Sequence, residues 1–353
     1  MSNQTDVLVI GAGAAGAVAA ARAKERGLEV RWIAKSTGAS GYSSGAVDIL
    51  KPAESEQADA AKAFALFQTL TAELFLMETS KAITQMGAVK KCFMVQKSQA
   101  FDLNKLSGEQ ILGVAEFTGL NSFEAAPVAK MLCEQGFRAK PLVVEFKPKD
   151  QESWTSFLNF AKNFDDAGEQ ARCLAAIGGT AQGFSHLLFP AALGLKSPGR
   201  FLENLAKQSG CMGSELLGQS HSIPGLRLGN ALSRGVQIDS LAGFQREAYR
   251  VTEVTLTSGE KLAPKQIILA TGRFLSGGFV DKREVLFGLP IQGDPLFSRG
   301  LKVDHQQRPL DQFGELYALN LIAAGSSIGG YDPLTDGGLA RAILSGYRAG
   351  ELC

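Results

Sequence analysis

The sequence has few of the residues that cross-link a chain or hold a metal ion. It contains five cysteines and three histidines in 353 residues, and no two cysteines form a C-x-x-C pair. The cysteines are scattered and odd in number: Cys92, Cys133, Cys173, Cys211 and Cys353. We therefore expect reduced thiols, with no disulfide framework and no zinc or iron–sulfur site carried by this chain. The histidines, which share no metal-ligand spacing, are His186, His221 and His305.

The sequence also lacks an excess of charge and a long hydrophobic run. Lys and Arg number 36 against 35 Asp and Glu, so binding to nucleic acid is not indicated. No stretch reaches the roughly 18 apolar residues that a membrane-spanning helix needs. The first residues show no charged segment followed by an apolar run, so no signal peptide is expected. These absences predict a cytoplasmic chain without a direct membrane span, which reaches the inner face of a membrane only through a partner.

Glycine, in contrast, is abundant, and its first cluster has the form of a nucleotide-binding turn. The cluster Gly11-Ala12-Gly13-Ala14-Ala15-Gly16 follows an apolar strand and precedes an Ala-rich helix that ends near Gly27. In this fingerprint Gly11 permits the tight turn, Gly13 lets the backbone approach a pyrophosphate, and Gly16 allows helix and strand to pack closely. The N-terminus of the helix then offers free N–H groups to the phosphates. The context of strand, turn and helix therefore predicts a dinucleotide-type site within residues 6–50.

One part of that fingerprint is missing. The end of the second strand normally carries an acid that binds a ribose hydroxyl, but this sequence has Ala34 there, followed by Lys35. Two interpretations stay open. Lys35 accepts the 2′-phosphate of NADP, or the adenosine half of the cofactor is weakly held or absent.

Three further small-residue clusters favour a flavin. Ser43-Ser44-Gly45 follows the second strand, although a flexible loop explains it equally well when it is taken alone. A buried strand runs into Ala270-Thr271-Gly272 and then Ser276-Gly277-Gly278. A last strand ends at Gly325-Ser326, and Gly337-Gly338-Leu339 opens the final helix, whose N-terminus would stabilise a reduced flavin. The order of these clusters predicts that they line one cofactor.

The arrangement of elements predicts an α/β fold. Strands that end in glycine occur towards both chain termini, so we expect a Rossmann-type, two-dinucleotide-binding flavin domain from residues 1–65 and 223–353. Residues 66–222 form an inserted α/β cap, for contact with substrate or another subunit. Within it, Ile111–Phe117 and Lys140–Phe146 are expected to be strands around a helix over 123–135. Apolar periodicity also predicts helices over residues 58–86 and 151–175, and Leu316–Ala324 is expected to be a strand.

The chain resembles the B subunit of bacterial anaerobic glycerol-3-phosphate dehydrogenase. The likeness covers most of the chain and is carried, besides residues 7–33, by YSSGAVDIL at 42–50, ILGVAEFTGL from 111, FPAALGL at 189–195, IPGLRLGNAL at 223–232, ILATGRFLSGGFV at 268–280 and LIAAGSSIGGYDP at 321–333. More broadly it is similar to the fumarate-reductase and succinate-dehydrogenase flavoproteins. Those proteins usually carry acids at the positions of Ala34 and Ser326, whereas the B-subunit family lacks both.

The resemblance implies a role in a complex. In that family an A subunit carries FAD and the glycerol-phosphate chemistry, the B subunit is assigned FMN, and an iron–sulfur C subunit links the pair to the membrane and its quinones. It thus implies oxidation of sn-glycerol 3-phosphate to dihydroxyacetone phosphate. The alternatives are a non-catalytic flavin-binding relay or scaffold subunit, and a stand-alone FAD-dependent dehydrogenase of another substrate.

The residues themselves leave the reaction open. The turn at Gly11–Gly16 suits a pyrophosphate, which FMN lacks, so FAD is the predicted cofactor and FMN the alternative. No catalytic residue is assignable from the sequence. Arg227 and Arg273 are candidate ligands for an anionic phosphate substrate, although a structural or surface role is the simpler interpretation for each.

Overall fold

The structure of the chain is a computed structural model, and it describes residues 3–77, 81–101, 103, 110–149, 156–196, 198–219, 221–294, 296–332 and 336–353. The strands are β1 Asn3–Ala12, β2 Val30–Thr37, β3 Val47–Asp48, β4 Phe75–Met77, β5 Ala82–Ile83, β6 Val89–Lys90, β7 Cys92–Gln96, β8 Ile111–Phe117, β9 Arg138–Val144, β10 His186–Phe189, β11 Met212–Glu215, β12 Gln237–Ile238, β13 Leu241–Glu247, β14 Arg250–Leu256, β15 Lys261–Leu269, β16 Phe279–Val280, β17 Arg283–Glu284, β18 Ile291–Gln292, β19 Gly300–Leu301 and β20 Leu321–Ala323. The helices are α1 Ala14–Glu25, α2 Gln57–Leu70, α3 Ala125–Glu134, α4 Phe157–Phe164, α5 Ala167–Gly178, α6 Pro198–Ser209, α7 Ile223–Leu232 and α8 Gly338–Glu351. Among the helices so described, none is both long and apolar enough to cross a bilayer.

The chain divides into two compact units. Unit 1 comprises residues 1–40, 48–72 and 229–353, and unit 2 comprises residues 41–47 and 73–228. Both chain ends therefore belong to unit 1. We propose that unit 1 is the flavin-binding domain and that unit 2 is the cap or subunit-contact domain.

Unit 1 is built on a seven-stranded sheet in the order β12-β2-β1-β15-β14-β13, with β20 also paired to β15. The strands β12, β2, β1, β15 and β20 are parallel, whereas β13, β14 and β15 form an antiparallel meander. β1 and the end of β15 are buried apolar runs, as strands covered on both faces must be. The α/β, Rossmann-type fold predicted from the sequence is confirmed.

Small residues account for the close packing of the first helix, α1, and for the place where it ends. α1 carries seven alanines and packs against α8, with Ala14 through Ala20 buried. It ends because Gly27 adopts a left-handed backbone at φ +81° and donates its N–H to the Lys24 carbonyl at 2.9 Å. This short βαβ unit places the glycine turn at the carboxyl edge of the sheet.

Unit 2 contains a second sheet, which is wholly parallel in the order β11-β10-β8-β9. Its core is a cluster of phenylalanines in which the rings of Phe117 and Phe160 stack with centroids 5.1 Å apart. Phe164 and Phe201 extend the cluster with an edge-on contact at 4.9 Å. Helices α3, α4, α5 and α6 supply the remaining apolar side chains. Unit 2 is therefore an α/β body with a core of its own.

Two of the predicted helices are wrong in extent. The helix expected over 58–86 ends at Leu70, and the Thr71 hydroxyl that follows donates to the Phe67 carbonyl at 2.7 Å; the short strands β4 and β5 come next. The helix expected over 151–175 is two helices, α4 and α5, since Asp166 interrupts it and caps α5 at the amides of Gly168 and Glu169. Residues 151–155 of that prediction lie outside the described chain. The strand expected over Leu316–Ala324 is confined to β20.

A buried histidine predicts an acid-sensitive unit 2. His186 lies in the core, where its Nε2 is 2.8 Å from Ser214 Oγ, and burial lowers its pKa from 6.5 to about 4. The unfolded chain therefore takes up a proton first as the pH falls, so the free energy of unfolding is expected to decrease between pH about 6.5 and about 4. Urea denaturation across this range, followed by hydrogen exchange at unit 2 amides, measures how steeply the free energy of unfolding changes with pH. We expect His186→Gln to reduce this pH dependence, and we expect His305→Gln, at an exposed position, to leave it unchanged. An unchanged pH dependence in His186→Gln contradicts the prediction.

Candidate functional site

A cleft opens at the carboxyl edge of the unit 1 sheet. It has an empty volume of about 820 Å³, counting space open to solvent. The segments that follow β1, β2, β12, β15 and β20 line it. Parallel α/β sheets bind their ligands at this edge. The predicted site residues that line the cleft are Gly11, Gly13, Ala14, Ala15, Lys35, Thr271, Gly272, Ser276, Gly277, Gly278, Gly325 and Ser326.

The glycine turn is fixed by packing at its two ends. Gly11 has φ +128°, and a Cβ on it would overlap the Ala270 carbonyl oxygen. A Cβ on Gly16 would in turn overlap the Gly11 carbonyl oxygen. That same oxygen accepts a 2.8 Å hydrogen bond from the indole Nε1 of Trp32, which is buried on β2. The turn is thus held rigidly against β1, β2 and β15.

Gly13 differs, because no described residue lies close enough to it to require a glycine there. Its backbone is extended, at φ −78° and ψ −179°, and the atom nearest to an added Cβ is Ser40 Oγ at 3.5 Å. The space beyond Gly13 is the cleft itself, at the N-terminus of α1. There the amide of Ala14 donates to Ser40 Oγ at 3.0 Å. A helix N-terminus next to an open backbone is the arrangement that receives a pyrophosphate, so this end of the cleft fits a dinucleotide.

The other wall offers small residues and an unused hydroxyl. Thr271 Oγ1 is buried and, within the described chain, has no hydrogen-bond partner. Gly272, Ser276 and Gly278 follow it around the cleft. A bound ligand would satisfy the hydroxyl, whose burial is otherwise unfavourable. The wall therefore fits the flat ring of a flavin.

The serine-glycine loop predicted to contact the flavin lies in unit 2. Gly45 and the Pro224 carbonyl are tied together by Gln96, whose Nε2 donates to the Pro224 oxygen at 2.6 Å and to that of Gly45 at 3.4 Å. The Ser222 hydroxyl donates to the Ser43 carbonyl at 2.7 Å, and Gln99 Nε2 donates to that of Ser44 at 3.2 Å. The loop is thus ordered by its backbone carbonyls. Its role in flavin binding stays a prediction.

The final helix begins as expected, but away from the residues that line the cleft. Gly337 is its N-cap in a left-handed conformation, at φ 74° and ψ 52°. Gly338 and Leu339 form the first turn, and of α8 only Ala342 lines the cleft. The proposed action of this helix on the flavin therefore also stays a prediction.

Both candidate arginines for a substrate phosphate serve the fold. Arg273 is buried and donates to the carbonyls of Ser326, Phe297, Ile328 and Tyr331. It therefore clamps the loop after β15 to the loop after β20. The four carbonyls engage four of the five N–H donors of the guanidinium, and the Tyr331 ring lies beside it.

Arg227 is likewise engaged, in the interior of unit 2. Its guanidinium forms a paired contact with Glu215, at 2.6 and 2.9 Å, with the two side chains 1% and 0% exposed. It also donates to the Gly194 carbonyl at 2.8 Å through Nε. The structural alternative, weighed from the sequence for both arginines, is the one that these contacts favour.

Sequence reasoning missed three residues of this site. Trp32 and Ser40 hold the glycine turn and the start of α1, and Asp239 lines the cleft after β12. The position of Trp32 in the second strand could have predicted its contact with the neighbouring turn. Nothing in the sequence predicts Asp239, because β12 is only two residues long and lies about 200 positions from its neighbour β2 in the chain.

Removal of the Trp32 hydrogen bond is expected to weaken cofactor binding. Trp32→Phe leaves the Gly11 carbonyl without its indole donor, a loss of about 1 kcal/mol, or roughly fivefold in FAD affinity if the turn loosens. Fluorescence titration of apoprotein with FAD measures this. Ile33→Val is the control, since it removes one methyl group from the same buried strand without removing a hydrogen bond. Equal affinities for Trp32→Phe and wild type would show that the bond does not preorganise the turn.

Comparison with known families identifies the domain. Residues 6–129 match the family model described as an FAD binding domain. The match includes the glycine turn, the second strand and, in unit 2, the strand β8. The match confirms FAD, predicted from the pyrophosphate-type turn, as the cofactor.

Curated relatives extend the likeness to the whole chain. The chain is 25% identical to the B subunit of anaerobic glycerol-3-phosphate dehydrogenase from Pectobacterium carotovorum, over 98% of this chain and 97% of that protein. It is also 25% identical to a probable B subunit of the same dehydrogenase from Halobacterium salinarum, over 99% of this chain and 98% of that protein. These relatives confirm the resemblance stated from the sequence. Among solved structures, a flavocytochrome c3 fumarate reductase matches 99% of this chain and 78% of its own, with 11% identity and a TM-score of 0.41.

Proposed function

We propose that this flavin oxidoreductase is a subunit of a complex that oxidises sn-glycerol 3-phosphate to dihydroxyacetone phosphate and passes the electrons to quinone. The observation that carries the proposal is an FAD cleft in a chain that is similar along 98% of its length to proteins named as the B subunit of such a dehydrogenase. The partners proposed are an FAD-bearing catalytic A subunit and an iron–sulfur C subunit that links the complex to the membrane. The chain itself would lie in the cytoplasm, on the inner face of that membrane.

The chain's own residues would hold the cofactor in a defined order. The N-terminus of α1 and the open backbone of Gly13 would receive the pyrophosphate, and Thr271 to Gly278 would line the ring. A bound FAD would supply hydride acceptance and one-electron transfer. The small residues after β15 would leave room for the ring, and Arg273 ties the loop after β15 to the loop after β20.

A second candidate function is an electron relay that binds FAD but no substrate. The observation that favours it is the engagement of Arg227 and Arg273 by structural partners, which leaves the phosphate substrate without either of its candidate ligands. In that case the glycerol-phosphate chemistry belongs to the partner subunit alone.

Anaerobic reduction of the flavin separates the two functions. The purified chain, loaded with FAD, is mixed with sn-glycerol 3-phosphate, and the absorbance near 450 nm is followed; the same assay is repeated on the complex with its partners. Bleaching in the isolated chain supports a catalytic subunit. Bleaching that occurs only in the complex supports a relay, and no reduction in either contradicts the proposed substrate.

A further inference from the structure

The strand next to Ala34 supplies a carboxylate that the second strand lacks. β12 pairs in parallel with β2, with Ile238 opposite Ala34, and the amide of Asp239 donates to the Ala34 carbonyl at 3.1 Å. Neighbouring strands lie about 4.8 Å apart. Asp239 therefore stands one strand over from the position where the ribose-binding acid is expected, and it lines the same cleft as Ala34 and Lys35.

The carboxylate of Asp239 is fixed and ionised. Its Oδ1 accepts hydrogen bonds from the Thr257 hydroxyl at 2.6 Å and from the amides of Ser240 and Ser258 at 2.7 and 3.4 Å. The hydrogen bonds from Thr257 and Ser258 lower its pKa to about 2. The Ser258 side chain also hydrogen-bonds to the carboxylate. The two oxygens of a carboxylate together offer about four acceptor positions, so this group can still accept a hydrogen bond from a ligand in the cleft that it lines.

We propose that Asp239 binds a hydroxyl of the adenosine ribose of FAD, in place of the acid missing at Ala34. The interaction rests on FAD being the cofactor. A ribose hydroxyl that donates to an ionised carboxylate forms a charge-assisted hydrogen bond, stronger than one between neutral groups. It explains how a chain without an acid on β2 retains a site for the adenosine half of a dinucleotide.

The competing role for Asp239 is purely structural. Thr257 and Ser258 belong to the turn between β14 and β15, so the carboxylate also fastens that turn to β12. A structural role predicts that every flavin is affected alike when Asp239 is changed. A ribose ligand predicts an effect only on ligands that contain the ribose.

The experiment compares ligands with and without adenosine. Apoprotein is titrated with FAD, FMN and ADP, in wild type and in Asp239→Asn, which keeps an oxygen for the donors at Oδ1. We expect the affinity for FAD and ADP to fall about tenfold to a hundredfold and that for FMN to stay unchanged. Asp304→Asn is the matched control, because Asp304 is a partly buried carboxylate of unit 1 outside this cleft. An unchanged FAD affinity, or equal losses for FAD and FMN, would overturn the proposal.

Ligand analogues test the same contact in the unaltered protein. If Asp239 receives a ribose hydroxyl, 2′-deoxy-ADP or 3′-deoxy-ADP binds the wild type about tenfold more weakly than ADP, and this difference disappears in Asp239→Asn. Equal binding of ADP and both analogues to the wild type overturns the proposal even if the variant fails to fold. A wild type that binds neither FAD nor ADP refutes the cofactor instead, so the two failures are distinguishable.

A relocated carboxylate provides a rescue. Ala34→Glu in the Asp239→Asn background restores the acid to the end of β2, and we expect it to recover FAD affinity without changing that for FMN. Thr257→Val, which removes a donor to Oδ1 but keeps the carboxylate, is expected to leave most of the FAD affinity. If Thr257→Val lowers FAD affinity as much as Asp239→Asn does, then Asp239 only stabilises the turn between β14 and β15.

Discussion

Gly13→Val is expected to lower FAD affinity by at least about a hundredfold while the protein stays folded. The branched side chain would occupy the space at the N-terminus of α1 where the pyrophosphate is received. Loss of two charge-assisted hydrogen bonds to phosphate, each worth about 1.5–3 kcal/mol, accounts for an effect of that size. The fold survives because valine adopts the extended backbone found at Gly13 and the nearest atom to its Cβ is 3.5 Å away. Flavin content after purification and FAD titration measure the loss, and circular dichroism measures the fold.

The glycine at position 243 offers a matched control. It lies in β13 of the same unit, without a left-handed backbone and with no atom within 4 Å of an added Cβ. We expect Gly243→Val to purify with a full complement of flavin. Full flavin content in Gly13→Val as well would mean that the turn is only a structural element.

Glu215→Ala is expected to destabilise unit 2 by about 3–5 kcal/mol, because it leaves the Arg227 guanidinium buried without its counter-charge. Glu215 also accepts the Leu193 amide at 2.9 Å, so the substitution removes a backbone contact too. Arg172→Ala, which breaks an ion pair whose arginine side chain is 42% exposed, is expected to cost about 1 kcal/mol or less. Chemical denaturation with hydrogen exchange at unit 2 amides gives both values.

The double variant Glu215→Met/Arg227→Met separates the ion pair from the space that it fills. Two apolar side chains of similar volume remove both charges together, so most of the stability lost in Glu215→Ala should return. A double variant as unstable as Glu215→Ala would instead show that the backbone contacts of the pair, at Gly194 and Leu193, carry the stability.

The parts of the fold that could be predicted from the sequence are those fixed by local chemistry. Asp6–Ile10, the glycine turn and Gly27 fix the first βαβ unit, and Ile111–Phe117 is a strand with the bounds predicted for it. The error over 58–86 arose because Leu74 and Met77 continue the helical spacing of the apolar residues before them. The helix nevertheless ends at Leu70, and no break in the apolar spacing marks that point.

The site residues likewise divide into those that local sequence predicts and those that only tertiary packing brings into place. The glycines and Thr271 could be located because their chemistry follows from their place at strand ends. The engagement of Arg227 by Glu215, twelve residues before it, and of Arg273 by carbonyls more than 20 residues away depends on tertiary packing. For the same reason the sequence showed the missing acid at Ala34 but not Asp239, which reaches that place through strand pairing.

The discontinuity of unit 1 has a consequence for how the protein is made. β1 pairs with β15, Ile10 opposite Leu269, and α1 packs against α8, where the backbone of Ala15 meets Gly346. During translation the apolar first strand must therefore wait until more than 250 further residues have left the ribosome. Unit 2, apart from residues 41–47, is contiguous and able to collapse in that interval. Until β15 emerges, the edge of β1 that faces it lacks its partner, and unpaired strand edges favour aggregation.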